Sequence, residues 1–227
     1  MKPIEPMEPM PPSTFERLKN NAIIQAWLVL FLAICFGSSL AGVQMTLGPK
    51  IETNKLNETR EKVPELVLGQ EAARKMAEAG ETLEAVPGSI VVEKPGKRAT
   101  YSVFEARRGD EHLGWVVKAA GAGYADKIEL LMGLDPKVEK ITGVFVLEQK
   151  ETPGLGNKIV TDEWRGQFTG MGTGQPMTVV KGGKSGAGNE INAVTGATIS
   201  SRSVTDIINT AVADLKEIGR ASCRERV

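Results

Sequence analysis

Residues Asn192 to Arg202 read Asn-Ala-Val-Thr-Gly-Ala-Thr-Ile-Ser-Ser-Arg and run directly into a helical pattern. Apolar residues then recur at helical spacing, at Val204, Ile207, Ile208, Ala211, Val212 and Leu215. This spacing predicts an amphipathic helix of about five turns with one apolar face. The hydroxyl side chains of the quoted stretch therefore cluster at the N-terminus of the helix: Thr195, Thr198, Ser200 and Ser201.

The residues alone leave two interpretations of this cluster open. Hydroxyl groups at a helix N-terminus accept hydrogen bonds from unpaired backbone amides, and a single Ser or Thr there is usually an ordinary cap. The same amides, with the positive end of the helix dipole, also favour an anion such as phosphate. Gly196 allows a tight turn and a close approach of the backbone to a ligand.

The string Thr195-Gly-Ala-Thr198, followed by Ile-Ser-Ser, is more specific than one cap residue. It resembles the Ser/Thr-Gly-Ala-Thr signature of an FMN-binding domain family, found in the G subunit of Rnf complexes and the C subunit of the sodium-pumping NADH:quinone reductase. In that family the last threonine carries FMN through a phosphoester bond, which implies Thr198 here. The family often has an aspartate where this chain has Asn192, a departure that could weaken recognition by the attaching enzyme. The resemblance implies further cofactor contacts at Thr195, Gly196, Ala197, Ser200 and Ser201.

Two more segments resemble the same family. Glu151-Thr-Pro-Gly-Leu-Gly156 predicts a tight exposed loop. In the family this loop lies against the isoalloxazine ring, which implies flavin contacts for Glu151, Thr152, Leu155 and Gly156. Gly121-Ala-Gly-Tyr-Ala125 is similar to a Gly-x-Gly-Tyr-Gly-Gly pattern, with Ala125 and Asp126 where two glycines are usual, and implies that Tyr124 stacks near the flavin. On the residues alone, the Glu151–Gly156 segment is an ordinary turn, and Tyr124 is equally compatible with a core-edge residue in a glycine turn.

An uncharged segment lies near the N-terminus, from Asn20 to Pro49. Its core, residues 22–43, is long enough to span a hydrocarbon layer of about 30 Å as a helix. Arg17 and Lys19 flank its N-terminal end, which places that end in the cytoplasm. A buried core helix and a cleaved signal peptide are the alternatives. A single uncleaved anchor is favoured, because the apolar region of a signal peptide is only about 7–15 residues long.

Composition excludes several function classes. Lys plus Arg and Asp plus Glu both number 28, so the net charge of zero argues against a nucleic-acid partner. The two cysteines, Cys35 and Cys223, have no metal-ligand spacing, so no metal site is expected. His112 is the only histidine, and we expect a surface residue without a carboxylate partner nearby.

The expected fold class is α+β, an FMN-binding domain on a single N-terminal transmembrane helix. A short helix is expected over residues 70–79, and strands over 100–106, 112–119, 127–132, 140–147 and 177–181. Gly133 to Pro136 predicts the turn between the third and fourth of these strands. The predicted organisation is a cytoplasmic arm (1–21), a transmembrane helix (22–43), a stalk with short helices (44–88), the FMN-binding domain (89–218) and a tail (219–227).

The resemblance implies a function without a catalytic acid–base pair. We expect a non-catalytic electron-carrier subunit of an Rnf-type, ferredoxin:NAD ion pump, with FMN bound covalently to Thr198. The body is expected on the periplasmic face of the inner membrane. The expected partners are the other membrane subunits of the complex, a flavin transferase for maturation, and membrane lipid. The alternatives are a membrane-anchored flavin-sensing or regulatory domain, and the C subunit of a quinone reductase.

Overall fold

The computed structural model describes residues 21–94, 97–183 and 188–224. The chain divides into two compact units, Met1–Asn54 and Lys55–Val227. Of the predicted cytoplasmic arm, only the last residue is among the described residues. The final three residues of the predicted tail also lie outside them. The helices are α1 (Ala22–Leu68), α2 (Gln70–Glu78), α3 (Asp162–Arg165) and α4 (Thr198–Arg224), with 3-10 turns at Gly156–Val160 and Gly166–Phe168.

The first unit, as far as it is described, is the N-terminal part of α1. The side chains of residues 22–43 are all exposed, although most of them are apolar. Helix α1 is the one helix in the described part of the chain that is long and apolar enough to cross a membrane. An apolar helix surface of this size needs lipid or protein around it, because contact with water is unfavourable.

The second unit contains a five-stranded antiparallel sheet in the order β1-β2-β3-β4-β5. A separate parallel pair joins β6 to β7. The mixed architecture confirms the predicted α+β class, and the predicted strands are all present. Their bounds are β1 Glu84–Lys94, β2 Lys97–Arg108, β3 Glu111–Ala122, β4 Lys127–Leu134, β5 Ile141–Glu148, β6 Thr178–Val180 and β7 Glu190–Asn192.

Each face of the sheet is covered by one helix. Helix α4 packs its predicted apolar face on one side, where Val204, Ile208 and Ala211 are buried. The C-terminal part of α1 packs on the other side through Val63, Leu66 and Val67. The side chains of β2 point alternately to the two faces of the sheet, so this strand contributes to both cores. Tyr101 and Val103 face α4, while Phe104 and Ala106 face α1. The body is therefore a three-layer helix–sheet–helix sandwich.

The structure differs from the predicted organisation between residues 44 and 88. No break separates an anchor from a stalk, because α1 continues to Leu68. Its last turns belong to the core of the second unit, so residues 63–67 are not a solvated stalk. Gly69, with φ +85°, then ends the helix as a C-terminal glycine. The sheet begins at Glu84, and the last helix continues past residue 218 to Arg224.

Two residues with turn-like sequence signals lie inside strands. Pro87 is tolerated in β1 because that strand is at the edge of the sheet. Gly133 belongs to β4, not to the predicted turn, because it pairs with Val116 of β3 and Gly143 of β5. Glycine is needed there, since a Cβ atom would collide with the carbonyl of Leu66. The turn itself runs from Asp135 to Lys140, whose backbone amide donates to Asp135 Oδ1 at 2.8 Å.

Candidate functional site

A cavity of about 750 Å³ lies at the N-terminus of α4, where the three segments singled out in the sequence meet. Its volume is in the range of sites for small molecules and cofactors. Of the eleven predicted cofactor-binding residues, ten line it: Tyr124, Glu151, Thr152, Leu155, Gly156, Thr195, Gly196, Ala197, Thr198 and Ser200. The fold therefore brings together residues from three distant parts of the chain.

Glu151 holds these three segments together. Its side chain is buried, and Oε1 accepts from the backbone amides of Tyr124 (2.8 Å) and Ala125 (3.2 Å). Its Oε2 accepts from the hydroxyl group of Ser200 at 2.7 Å. The sequence resemblance implied a direct flavin contact for Glu151, but both of its oxygens are engaged by protein groups. The carboxylate therefore ties the Tyr124 loop to the first turn of α4.

Two glycines make room for the Glu151 carboxylate. A Cβ atom at Gly123 would collide with Oε1, so the Tyr124 loop can wrap around the carboxylate only with glycine at that position. A Cβ atom at Gly156 would lie 2.8 Å from Glu151 Cβ and 3.0 Å from Ser200 Oγ. Both close approaches explain why glycine is needed at these positions, although neither residue has a positive φ angle.

Large apolar side chains stand exposed around the cavity. Tyr124 is 65% exposed, Ile199 55% and Leu155 46%. Each comes from a different part of the site: the loop after β3, the first turn of α4, and the loop after β5. Exposed apolar side chains that converge on one cavity are suited to cover the faces of a planar, partly apolar ring.

The hydroxyl cluster divides into groups that face the cavity and one that does not. Thr198 is the first residue of α4 and half-buried, and Thr195 is exposed. Ser201 is fully buried away from the cavity: its Oγ accepts from the Val194 amide (2.9 Å) and donates to the Ala197 carbonyl (3.0 Å). Contrary to the sequence expectation, Ser201 does not line the cavity and instead stabilises the turn that presents Thr198.

Lys181 also lines the cavity, at a position that the sequence did not predict as part of the site. It follows β6, whose parallel pairing with β7 sets Val180 beside Asn192. The amide of Ala193 then donates to the Val180 carbonyl at 2.9 Å. This pairing places a cation beside the segment that leads to Thr198. No local sequence signal predicts the position, because it depends on the register of two short strands.

The structure also corrects the expectation for His112. Its ring is half-buried on Trp115, with ring centroids 4.7 Å apart, and its Nδ1 lies 3.1 Å from Glu105 Oε1. The prediction of no neighbouring carboxylate is therefore wrong, because strand pairing brings Glu105 close. His112 lies outside the cavity. Within the described ranges, no group of three or more His, Cys, Asp or Glu side chains is arranged to hold a metal ion.

Comparison with known proteins places this site in a family. The family model of the FMN-binding domain matches residues 123–213. This range contains the Glu151 and Thr198 segments in full and the Tyr124 segment from Gly123 onward. The G subunit of an ion-translocating oxidoreductase complex from Methanosarcina acetivorans is 32% identical over 143 residues, 63% of this chain and 72% of that protein. The chain belongs to the G-subunit family of ion-translocating oxidoreductase complexes.

Two further relatives carry related descriptions. The G subunit of the Na⁺-translocating ferredoxin:NAD⁺ oxidoreductase complex from Acetobacterium woodii is 35% identical over 57% of this chain and 61% of that protein. The G subunit of the proton-translocating complex from Clostridium ljungdahlii is 39% identical over 52% of this chain and 60% of that protein. The matched region thus spans about three fifths of the length of these two relatives.

Solved structures support the fold. NqrC from Shewanella oneidensis superposes with a TM-score of 0.55 at 21% identity, covering 69% of this chain and 91% of that one. The C subunit of the Na⁺-translocating NADH-quinone reductase from Parabacteroides distasonis gives a TM-score of 0.52, also at 21% identity, over 72% and 92%. The match to the FMN-binding domain and the apolar N-terminal helix together fit a membrane-anchored flavoprotein.

Proposed function

We propose that this protein is the membrane-anchored electron carrier of an Rnf-type complex, and that it carries FMN as a phosphoester of Thr198. The flavin transfers electrons between redox centres of neighbouring subunits while the protein makes and breaks no substrate bond. The anchor is helix α1, and the body stands on the periplasmic face of the inner membrane. The observation that carries the proposal is the convergence of three flavin-family segments on one cavity beside the Thr198 hydroxyl.

The residues around the cavity fit a flavin mononucleotide. At the phosphate end, the amides of the first turn of α4 have no intrahelical partners and the helix dipole favours an anion. Lys181 adds a positive charge on the same cavity. At the ring end, Leu155 and Tyr124 offer apolar surface. FMN supplies the one- and two-electron redox chemistry, and the protein supplies its position and electrostatic surroundings.

The attachment to Thr198 requires a separate flavin transferase. An alcohol becomes a competent nucleophile only when a base removes its proton, and the pyrophosphate charge of the donor must be neutralised, usually by a metal ion. The described residues around Thr198 provide no carboxylate cluster for such a metal. In the proposed step, Thr198 Oγ1 bonds to the FMN phosphorus of FAD, AMP leaves, and the hydroxyl proton passes to a base of the transferase.

The attachment site is tested by paired threonine variants. The full chain is expressed in a host with and without the transferase, and covalent flavin is followed by in-gel fluorescence and intact mass. Thr198→Ala should abolish the fluorescent band and the FMN mass increment. Thr195→Ala is the matched control, because Thr195 lines the same cavity and should leave the bond possible. A fluorescent band that persists in Thr198→Ala would refute the proposed linkage.

Topology and partners need separate experiments. Protease added to intact spheroplasts should digest the body and leave the N-terminal arm protected, whereas a protected body would refute the periplasmic assignment. Purification in mild detergent should recover the other membrane subunits of the complex with this chain. Recovery as an isolated monomer, together with normal ferredoxin-linked electron transfer in a deletion strain, would refute the role as a carrier.

A further inference from the structure

The cavity contains a buried negative charge that the proposed electron carrier does not need for attachment. Glu151 is 4% exposed, yet it lines the cavity. Both carboxylate oxygens act as acceptors, which is the pattern of an ionised group. Its three donors are neutral: two backbone amides and one hydroxyl group. The neighbouring Lys150 pairs with Asp126 instead, and no ion pair to the Glu151 carboxylate occurs among the described residues. Lys181 contributes to the cavity wall.

The position of Glu151 explains how a charge can be held there. Ser200 is in the first turn of α4, so the carboxylate lies near the positive end of the helix dipole. The two amides of the Tyr124 loop point their dipoles at the same group. Fixed dipoles of this kind stabilise a charge while offsetting its field only in part, and burial reduces the screening by salt that weakens a surface charge.

We propose that the charge of Glu151 lowers the reduction potential of the flavin, and that this residue is a positioning and potential-setting residue of the carrier. The inference rests on the proposed function, since it requires FMN in this cavity. Each electron that the flavin gains adds negative charge to the site unless a proton accompanies it. A fixed carboxylate nearby opposes that gain and so favours the oxidised form.

The hydrogen bonds of Glu151 allow its charge to be separated from its structural role. In Glu151→Gln, the amide oxygen can still accept from the amides of Tyr124 and Ala125. The new NH₂ group can donate to the Ser200 oxygen, because a hydroxyl group accepts as well as donates. This variant removes the charge and keeps the link between the loop and helix α4. Ser200→Ala keeps the charge of Glu151 and removes the hydroxyl group that donates to it, so it breaks the link and leaves the charge in place.

The experiment is a redox titration of full-length protein that has been loaded by the flavin transferase. Dithionite with mediators sets the potential, and visible absorbance reports the oxidised fraction of the attached flavin. At the midpoint of the wild type, Glu151→Gln should raise the ratio of reduced to oxidised flavin by about tenfold or more, which is about 30 mV for a two-electron couple. The rise should persist at high salt. Ser200→Ala should shift the midpoint downward, because the Glu151 charge loses one of the donor dipoles that offset part of its field.

The matched control is Glu139→Gln, which makes the same charge change on an exposed residue of the β4–β5 turn, outside the cavity. Its midpoint should equal that of the wild type. A wild-type midpoint in Glu151→Gln overturns the inference, and so does an equal rise in both Glu variants. Should Glu151→Gln take up no flavin, Ser200→Ala decides: a lower midpoint supports the inference, and an equal or higher one overturns it. Failure of the proposed function is distinguishable, because the wild type would then acquire no covalent flavin and give no midpoint, whereas a wrong attachment site alone would leave covalent flavin in Thr198→Ala.

Discussion

Leu155 lies against Gly196: a Cβ atom added at Gly196 would stand 3.0 Å from Cδ2 of Leu155. The two residues come from different flavin-family segments, the loop after β5 and the turn before α4. Gly196 also has a φ of +81°, in the left-handed region that side chains disfavour. The turn that presents Thr198 therefore depends on glycine both for its backbone conformation and for its contact with Leu155.

Gly196→Ala should slow flavin attachment by the transferase and destabilise the body by about 1–2 kcal/mol, the cost of the left-handed conformation for a residue with a Cβ atom. The control is Gly154→Ala, which has a similar φ of +78° but no atom within 4 Å of the added Cβ. Gly154→Ala should destabilise the body by a similar amount, but its rate of flavin attachment should stay closer to the wild-type rate than that of Gly196→Ala. Adding Leu155→Ala to Gly196→Ala should restore part of the attachment rate, and equal rates in the single and double variants would contradict the crowding argument.

Leu155→Ala alone should keep the covalent flavin and expose the ring more to solvent. Leu155 is 46% exposed, so its truncation removes little buried surface and should leave the thermal stability of the flavin-free protein unchanged. Iodide quenching of flavin fluorescence should become stronger. Val160→Ala is the control, because Val160 is 39% exposed and lies outside the cavity. Equal quenching in the wild type and Leu155→Ala would show that the loop does not cover the flavin.

Lys181→Gln should slow flavin attachment by roughly two- to fivefold, because an exposed ion pair contributes about 0.5–1 kcal/mol. The expected reason is the loss of a positive charge beside the phosphate, so the difference from wild type should shrink as salt is added. Initial rates of the fluorescent band measure the effect. Lys137→Gln, an exposed lysine in the β4–β5 turn, should react at the wild-type rate. A rate for Lys181→Gln that equals the control would remove Lys181 from the phosphate site.

The difference between Thr198 and Lys181 shows what the sequence could predict. Helical spacing located α4, and the motif at its N-terminus located Thr198, because both signals are local. Lys181 reaches the cavity through the β6–β7 pairing, and Glu151 joins three segments through hydrogen bonds across 26 and 49 positions of sequence. Such contacts follow from tertiary packing and leave no periodic signal. Residues Val63, Leu66 and Val67 have helical spacing, but the polar residues around them suggested a stalk.

Tyr101→Phe should destabilise the body by about 1–3 kcal/mol. The hydroxyl group of Tyr101 donates to Asp214 Oδ2 at 2.6 Å, and both residues are buried between β2 and α4. Burial, followed by the hydrogen bond and the charge of Asp214, raises the pKa of Tyr101, so the hydroxyl stays protonated as a donor. The chain has one other tyrosine, Tyr124, which is 65% exposed, and Tyr124→Phe should leave the melting temperature unchanged. Equal melting temperatures for both variants would contradict a stabilising role for the buried pair.

The stability of the body should fall as the pH is lowered from about 4.5 to about 2, and Glu129 should account for part of the loss. Burial alone would raise the pKa of Glu129. The hydrogen bond from Lys127 and the charges of Lys118, Lys127 and Lys55 outweigh burial and lower the pKa from 4.5 to about 2. The Lys127 Nζ lies 2.5 Å from Oε1, while those of Lys118 and Lys55 lie 3.4 and 3.5 Å from Oε2.

The sign of the effect follows from the lowered pKa. Between these pH values the unfolded state binds a proton at Glu129 and the folded state does not, so stability is complete above the unfolded pKa and declines below it. The contribution is about 2–3 kcal/mol. Glu129→Gln should lose that stability at neutral pH, because it leaves three lysines without their shared partner, and should melt with a flatter pH dependence. Glu139→Gln, an exposed carboxylate, should keep the wild-type profile. Parallel pH profiles for wild type and Glu129→Gln, measured as denaturant midpoints, would show that this cluster does not control the acid stability.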